Sequence, residues 1–245
     1  MKILDLTLPT PAENLAGDEA LLDAAEAGEL GEVLRFWTPN AYFVVVGYAN
    51  KVVTETNVGA CQTRGIPILR RCSGGGTVVQ GPGCLNYTLV LRIAGDGPTH
   101  SISAANRFIM ERNRAALIQL ASDSRAETSD IQVCGHTDFA LGGLKFSGNA
   151  QRRHRRFLLF HGTFLLDFDI TMIEALLREP SKQPDYRNNR RHKDFLINLH
   201  IPAAKVKAAL ARAWGAKTEL AELPTMRAET LAREKYSTRE WSFKF

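Results

Sequence analysis

The segment Arg70-Arg71-Cys72-Ser73-Gly74-Gly75-Gly76-Thr77 carries the clearest signal in the chain, because three consecutive glycines follow directly on a predicted strand at residues 67–71. Without side chains, successive backbone N–H groups can close on an anionic or planar ligand. No lysine follows the last glycine and no GxGxxG fingerprint opens a helix, so neither common nucleotide motif is present. A glycine-rich hairpin would explain the triplet alone. The adjacent arginines favour a clamp for phosphate or carboxylate.

Outward from this segment, short stretches rich in β-branched and aromatic residues alternate with amphipathic stretches. The predicted strands are 3–8, 33–37, 42–46, 67–71, 85–93, 139–141, 144–150 and 157–166. The predicted helices are 12–27, 55–64, 101–120, 171–178, 202–214 and 229–235. We find no internal repeat and no long linker. The sequence therefore predicts one α+β domain over residues 1–245, a mixed β-sheet with flanking helices.

Composition excludes several classes of protein. The chain has 245 residues, of which 44% are apolar, so disorder is excluded and the core is large enough to need no disulfides. The longest apolar run, residues 41–49, is too short to span a membrane. Asp5 interrupts the place where a signal peptide needs an apolar run. We expect a cytoplasmic protein without a membrane partner.

Cysteines and basic runs add weaker signals. Cys61, Cys72, Cys84 and Cys134 form no C-x-x-C pair, which disfavours a zinc site and predicts free thiols. Positive charge concentrates in residues 152–156 and 187–193, within a formal net charge of +5. Such runs are either solvated turns or docking surfaces for an acidic partner. No nucleic-acid-binding motif accompanies them, so a nucleic acid partner is unsupported.

Two further segments have chemical content. Lys145 lies between Leu144 and Phe146, so strand alternation sends its side chain to the face opposite theirs. Small residues follow it and would let a ligand approach, and Asp138 could supply a nearby carboxylate. An isolated lysine is otherwise a surface residue. His161-Gly162-Thr163 follows a buried-looking apolar run, where a core histidine bonded to backbone is the simpler interpretation.

In this order and spacing, these segments together with Leu85-Asn86-Tyr87 resemble the lipoate-protein ligase A family. The resemblance extends from the helix at Asn14 to Trp241, nearly the whole chain. It implies the catalytic domain that this family shares with biotin ligases and octanoyltransferases. The implied reaction is activation of lipoate by ATP, with Mg²⁺, to lipoyl-adenylate. The lipoyl group then passes to a lysine of a lipoyl carrier domain, of the 2-oxoacid dehydrogenase E2 or glycine cleavage H protein type.

The resemblance also implies residue roles. Lys145 would be catalytic and hold the carboxylate and then the mixed anhydride, where a buried ammonium stabilises developing negative charge. Arg71 would contact the adenylate phosphate, and Asp138 would contribute to a Mg²⁺ site or contact Lys145. The remaining substrate and nucleotide contacts would come from Ser73, Gly74, Gly75, Gly76, Thr77, Val78, Val79, Asn86, Ser147, Gly148, Asn149, Ala150, His161, Gly162 and Thr163.

Alternatives to the ligase remain open. The longest family members carry an extra C-terminal domain, whereas this chain stops at Phe245, so we expect no accessory domain and consider a separate accessory protein. A second hypothesis is an octanoyl or lipoyl transferase that works through a thioester on Cys134 without ATP, with Cys72 and Cys84 as weaker candidate nucleophiles. A third is a non-catalytic or nucleic-acid-binding module that uses the basic runs.

Overall fold

The structure is a computed structural model, and it describes residues 1–122 and 130–245. Its strands are β1 (Lys2–Asp5), β2 (Val33–Trp37), β3 (Phe43–Val46), β4 (Ile68–Arg70), β5 (Val78–Gln80), β6 (Cys84–Arg92), β7 (Ile131–Cys134), β8 (Asp138–Leu141), β9 (Leu144–Arg153), β10 (Phe157–Leu165) and β11 (Thr218–Glu219). Its α-helices are α1 (Pro11–Ala27), α2 (Val52–Glu55), α3 (Val58–Thr63), α4 (Ile102–Ser122), α5 (Thr171–Leu176), α6 (His192–Phe195), α7 (Ala203–Ala213), α8 (Thr225–Leu231) and α9 (Arg239–Ser242).

The large sheet has the order β11-β1-β2-β6-β10-β9-β8-β7. Strand β1 runs parallel to β2 and β11, and the pairs from β2 through β7 are antiparallel. A small sheet has the order β4-β3-β5, with β4 parallel and β5 antiparallel to β3. The prediction of an α+β fold with a mixed sheet is confirmed.

Helices cover both faces of the large sheet. On one face Leu34, Phe36 and Leu89 pack in a core with side chains of α4 and α7. On the other face Val33 and Val90 pack against α1 and α8. Because neighbouring strand residues point to opposite faces, one strand such as β2 serves both cores. The small sheet packs its own apolar cluster against α2, α3 and α5.

Helix α1 is fixed at both ends by local sequence. Thr10 accepts a hydrogen bond from the Glu13 N–H while the Glu13 carboxylate accepts from the Thr10 N–H, a capping box. Pro11 occupies the first turn, where its missing N–H costs nothing. Gly28 ends the helix with φ of 86°, a conformation that favours glycine. These contacts hold the buried side chains of α1 over the sheet.

The structure differs from the prediction mainly in short elements. The single helix predicted at 55–64 is two helices, α2 and α3, because the Asn57 side chain caps a new start by accepting from Ala60 N–H. Strands β5, β7 and β11 were not predicted, since two to four residues show too little alternation. In place of the helix predicted at 229–235 the chain forms α8 and then a π-helix, Ala232–Tyr236. Within the described residues no helix is long and apolar enough to cross a membrane.

Candidate active site

A cleft of about 850 Å³ opens between the large and small sheets. Its walls come from β9 and β10, from the loop after β4, and from residues 177–196. Among the predicted site residues, Ser73, Gly74 and Cys134 do not line it. The predicted residues that do line it are Arg71, Gly75, Gly76, Thr77, Val78, Val79, Asn86, Asp138, Lys145, Ser147, Gly148, Asn149, Ala150, His161, Gly162 and Thr163.

Arg71 shapes the glycine loop from inside. Its Nη2 donates to the carbonyls of Gly74 and Gly76 at 2.6 and 2.7 Å. Gly75 has φ of 85°, a conformation that favours glycine, and a Cβ at Gly47 would overlap the Gly75 carbonyl oxygen. Burial lowers the pKa of Arg71 to about 10, which leaves the guanidinium charged at neutral pH. The contact of Arg71 with a phosphate stays a prediction, because in this structure its donors brace the loop.

Arg70 ties a neighbouring loop, residues 47–50 after β3, to the C-terminal segment. Its buried guanidinium donates to the carbonyls of Gly47, Tyr48 and Asn50 through Nη1, each at 2.8 Å. Its other nitrogens donate to the carbonyls of Trp241 and Ser242. The Tyr48 N–H in turn donates to the Ser73 carbonyl at 2.9 Å. The two arginines therefore have separate structural tasks: Arg71 braces the glycine loop, and Arg70 braces the loop after β3 that contacts it.

Lys145 projects into the cleft next to an acid. Its Nζ lies 2.8 Å from Oδ1 of Asp138, and both side chains are mostly buried. A β-bulge puts an extra residue on β9 opposite the step from Phe139 to Ala140. The ring of Phe146 stacks against Phe139 in the core beside this bulge. The bulge interrupts the predicted alternation, so Phe146 is buried in the core and yet also borders the cleft that contains Lys145. Asp138 is the predicted partner of Lys145.

Asp138 has a second partner that the sequence did not indicate. The Tyr186 hydroxyl donates to Asp138 Oδ2 at 2.8 Å. Burial first, and then the charge of Asp138, raise the pKa of the Tyr186 phenol well above its usual range. The phenol therefore stays protonated and acts as a donor. Each Asp138 oxygen already accepts from a donor, which fits a positioning carboxylate better than a Mg²⁺ ligand, and that predicted metal role remains untested.

No other described residues supply a metal cage: within residues 1–122 and 130–245 no three His, Cys, Asp or Glu side chains converge. Mg²⁺ is usually held by one or two carboxylates together with substrate phosphates. Three carboxylates, Asp18, Asp138 and Asp185, line the cleft, but among the described residues they do not converge into a group of three ligands.

His161 connects the glycine loop to a buried ion pair. Its Nε2 lies 2.5 Å from Ser73 Oγ, and its Nδ1 lies 3.3 Å from Asp18 Oδ2. Asp18 also bonds Arg35 at 2.6 Å, and both members of that pair are buried. Burial acts to raise the pKa of Asp18, but Arg35 and His161 outweigh it and the pKa is lowered. His161 therefore lines the cleft, and Ser73 does not line it but bonds to His161.

Two polar networks fix the strands behind the cleft. Thr163 Oγ1 donates to Asn86 and accepts from Gln80, and Asn86 donates to Gln80. The second network starts at Asn149, which accepts from the Tyr87 hydroxyl at 2.7 Å. It continues from Tyr87 through Asn113 of α4 to the indole of Trp214. Satisfied buried networks of this kind hold side chains in one arrangement.

The cleft also has an apolar wall that the sequence analysis missed. Leu15, Trp37 and Val45 line it together with the predicted Val79. Asp18 and Tyr186 were missed as well. The one available signal was at Asp18, an acid that shares a helix face with the apolar Leu15, Leu21 and Leu22. Tyr186 lies in a stretch with no predicted element, where nothing in the sequence distinguishes it.

The four cysteines are free, and they differ in exposure. Burial raises the pKa of Cys72 and of Cys84 to about 12, which makes both poor nucleophiles. Cys134 is partly exposed at the end of β7, directly before the cleft residues 135–138. Burial, and then Asp138 and Asp130, raise its pKa. Cys134 is thus the most accessible thiol, in surroundings that disfavour the thiolate.

The basic run 152–156 was predicted to be the turn between two strands, but only residues 154–156 form that turn, because Arg152 and Arg153 still pair with β10 at the end of β9. Arg153 donates to the carbonyls of Thr99 and His100, and His154 lies 3.4 Å from Asp23. The backbone N–H of Arg156 donates to Glu26. Arg152 stacks over the ring of Tyr48 at 5.8 Å and remains exposed. Four of the five residues of this run, Arg152, Arg153, His154 and Arg156, therefore contact other parts of the protein.

Comparison with known proteins agrees with this geometry. Residues 10–213 match a family described as the lipoyl protein ligase A/B catalytic domain, and the chain belongs to that family. Octanoyltransferase LipM of Brevibacillus brevis is 27% identical over 96% of this chain and 95% of its own. Lipoate-protein ligase A subunit 1 of Thermoplasma acidophilum is 28% identical over 97% of this chain and 95% of its own.

Solved structures share the fold. The bipartite lipoate protein ligase of Thermoplasma acidophilum superposes with a TM-score of 0.80, at 23% identity over 99% of this chain and 95% of its own. A lipoate-protein ligase A bound with ATP superposes with a TM-score of 0.76, at 24% identity over 99% and 98%. The predicted family and its catalytic-domain fold are confirmed.

Proposed function

We propose that this protein transfers an octanoyl or lipoyl group from a carrier thioester to a lysine of a lipoyl carrier domain. The observation that carries the proposal is the meeting of three features in one cleft: the Lys145 ammonium, the arginine-braced glycine loop, and the apolar wall. A saturated acyl chain fits the wall of Leu15, Trp37 and Val45. Lys145 would then face the acyl carbonyl and stabilise its developing negative charge.

The proposed reaction has two steps. The thiolate of Cys134 attacks the carbonyl of the acyl thioester, so a new C–S bond forms and the donor leaves as a thiolate that takes up a proton. The carrier lysine amine then attacks the acyl-cysteine, the amide forms, the amine proton is lost, and Cys134 leaves as thiolate. Relatives named octanoyltransferase LipM, from Brevibacillus brevis and Geobacillus kaustophilus, support this assignment because they match 96% and 99% of this chain.

A second candidate is the ATP-dependent ligase. The acids around Cys134 favour it, because a thiol with a raised pKa is a weak nucleophile at neutral pH. In this reaction a free carboxylate attacks the α-phosphate of ATP and pyrophosphate leaves. The carrier lysine amine then attacks the acyl-adenylate, the amide forms, AMP leaves and the amine proton is lost. The relative named as a lipoate-protein ligase subunit and the similar fold with bound ATP support it. A separate accessory protein belongs to this candidate, since one structural relative is bipartite.

One experiment separates the candidates. The apo lipoyl domain is incubated with enzyme and octanoyl carrier protein without ATP, or with octanoate or lipoate plus ATP and Mg²⁺, and its intact mass is measured. Gain of an octanoyl mass in the first reaction supports the transferase, and gain only in the second supports the ligase. No gain in either reaction contradicts acyl transfer. The Lys145→Ala variant and an apyrase-treated sample are the controls.

A further inference from the structure

We propose that Tyr186 is a positioning residue for Lys145, which it orients by holding the carboxylate of Asp138. The inference rests on the proposed acyl transfer, and it adds a residue from outside the recognised motifs. Tyr186 lies in a 3-10 turn, Asp185–Arg187, on the segment that follows α5 and borders the cleft.

The argument begins with the geometry of the carboxylate. Asp138 Oδ1 contacts the Lys145 ammonium at 2.8 Å and Oδ2 accepts from the Tyr186 hydroxyl at 2.8 Å. A carboxylate held at one oxygen can rotate about its Cβ–Cγ bond, since that torsion is broad. With both oxygens engaged the rotation is restricted. The ammonium of Lys145 then contacts a carboxylate that is itself held from two elements, by its own strand β8 and by the turn that carries Tyr186.

The backbone around Tyr186 is fixed to the same hairpin that carries Lys145. Arg190 Nη2 donates to the Tyr186 carbonyl at 2.9 Å and to the Gly143 carbonyl at 3.0 Å. Gly143 lies in the turn between β8 and β9, two residues before Lys145. The Tyr186 ring packs against Phe195 with centroids 5.1 Å apart. The phenol is therefore placed by a braced segment.

The same segment also contacts the backbone of Lys145. The Ile197 N–H donates to the Lys145 carbonyl at 3.0 Å, and Leu196 forms a bridge with Lys145. Backbone and side chain of Lys145 are thus both tied to residues 186–197. Because the ammonium must meet a reacting carbonyl, an error of 1 Å in its place lowers the rate strongly. A residue that keeps the ammonium in place should therefore affect kcat more than KM.

The first test is a double-mutant cycle. Tyr186→Phe keeps the ring contact with Phe195 and removes the hydroxyl. We expect kcat to fall about tenfold, the effect of one hydrogen bond to a charged group, with KM nearly unchanged. In an Asp138→Ala background the same change should add less than about twofold. Tyr42→Phe, at a tyrosine outside the cleft, is the matched control and should leave kcat unchanged.

Two kinetic outcomes overturn the proposal. One is an unchanged kcat in Tyr186→Phe. The other is an equal loss with and without the Asp138 carboxylate, which would show that the phenol acts elsewhere. Equal thermal unfolding midpoints of the Phe variant and the parent exclude a folding defect.

A second test does not depend on activity, and so separates this proposal from the proposed function. Lysines are ¹³C-dimethylated, and the Lys145 methyl resonance is assigned by its loss in Lys145→Arg. We expect Tyr186→Phe to shift this resonance in the same direction as Asp138→Ala, and Tyr42→Phe to leave it in place. An unmoved resonance in Tyr186→Phe overturns the positioning role, even where the parent enzyme transfers no acyl group. A moved resonance supports it in the same circumstance.

Discussion

The Ser73 hydroxyl lies 2.5 Å from Nε2 of His161, and this contact joins two motifs that are 88 residues apart in sequence. Through it the glycine loop is connected to the buried pair of Asp18 and Arg35. The loop after β4 and the strand β10 belong to different sheets. Their relative placement therefore depends on a short chain of polar contacts as well as on apolar packing.

The first prediction concerns Lys145. Lys145→Ala should reduce acyl transfer at least about a hundredfold, because a preorganised charge at the reacting carbonyl is lost. The free energy of unfolding should change little, since the side chain contributes charge to a cleft and little packing. Lys145→Arg should rescue poorly, as a planar fork does not occupy the place of a compact ammonium. Intact-mass measurement of the carrier domain and a urea titration check both parts, and normal transfer by Lys145→Ala would refute the assignment.

The second prediction concerns Cys134. If the transferase proposal is right, Cys134→Ser stops turnover, and the parent gains one octanoyl mass that hydroxylamine removes. Because the pKa of Cys134 is raised, the rate of its acylation should increase as the pH rises above neutrality. Retained activity in Cys134→Ser, with no acyl-enzyme in the parent, would instead select the ATP-dependent ligase. Cys61→Ser, at a buried thiol outside the cleft, is the control.

A third prediction uses the close approach of Gly148 to Lys145. A Cβ at position 148 would lie 3.0 Å from Lys145 Nζ, so Gly148→Ala must displace the ammonium. The displaced atom is the end of a flexible side chain, and we expect lower kcat with a nearly unchanged unfolding midpoint. Gly31→Ala, where a Cβ meets nothing within 4 Å, is the matched control. A fully active Gly148→Ala variant would show that the observed position of Lys145 is not required.

The fourth prediction concerns the stability that the buried pair provides. Arg35→Met leaves the Asp18 carboxylate buried without its cation and should cost about 3–5 kcal/mol in urea unfolding at neutral pH. The pKa of Asp18 is lowered in the folded protein, so its contribution is present above its ordinary value of 3.8 and is lost as the pH falls further. The Asp18→Asn, Arg35→Met double variant should lose that part of the acid dependence. A loss of unfolding free energy below about 1 kcal/mol for Arg35→Met would contradict a stabilising role of the buried ion pair.

The fifth prediction concerns docking of the carrier at the basic run 152–156, at the end of β9 and in the turn that follows it. Within the described part of the chain, Arg152 and Arg155 are exposed and form no ion pair, so they are free to attract an acidic partner. Replacing both by Ser should slow transfer to the carrier at low ionic strength and weaken its salt dependence. Formation of the activated acyl group should not change. The double replacement of Lys2 and Lys217 by Ser removes the same charge at the distant β1–β11 edge, and equal effects of the two pairs would argue against docking at the basic run.

How far the sequence predicts this site depends on the kind of residue. Some site residues have a local sequence pattern, such as consecutive glycines or a lysine inside an apolar strand. The loop of Gly75 and the strand of Lys145 were both predicted for this reason. Asp18 and Tyr186 act through contacts across many residues of sequence, and such pairings have no local signature. Their discovery required the fold.

The long elements were also predictable, and the short ones were not. Strands β6 and β10 are each nine residues long and buried throughout most of their length, so their apolar content marks them clearly. Strand β5 has three residues, and pairing with β3 decides its conformation more than its own composition does. The short helices α2 and α3 were also missed as separate elements, because one capping residue, Asn57, starts a new helix inside the range predicted as one.

The pairing of β9 with β10 places Ala150 opposite His161 and Gly148 opposite Thr163. Adding or deleting one residue inside either strand would turn every later side chain to the opposite face of the sheet. A length change in the turn at 154–156 would leave that pairing intact. Insertions and deletions in homologues should therefore occur at the tip of this hairpin. The number of residues between Lys145 and Ala150 should stay constant.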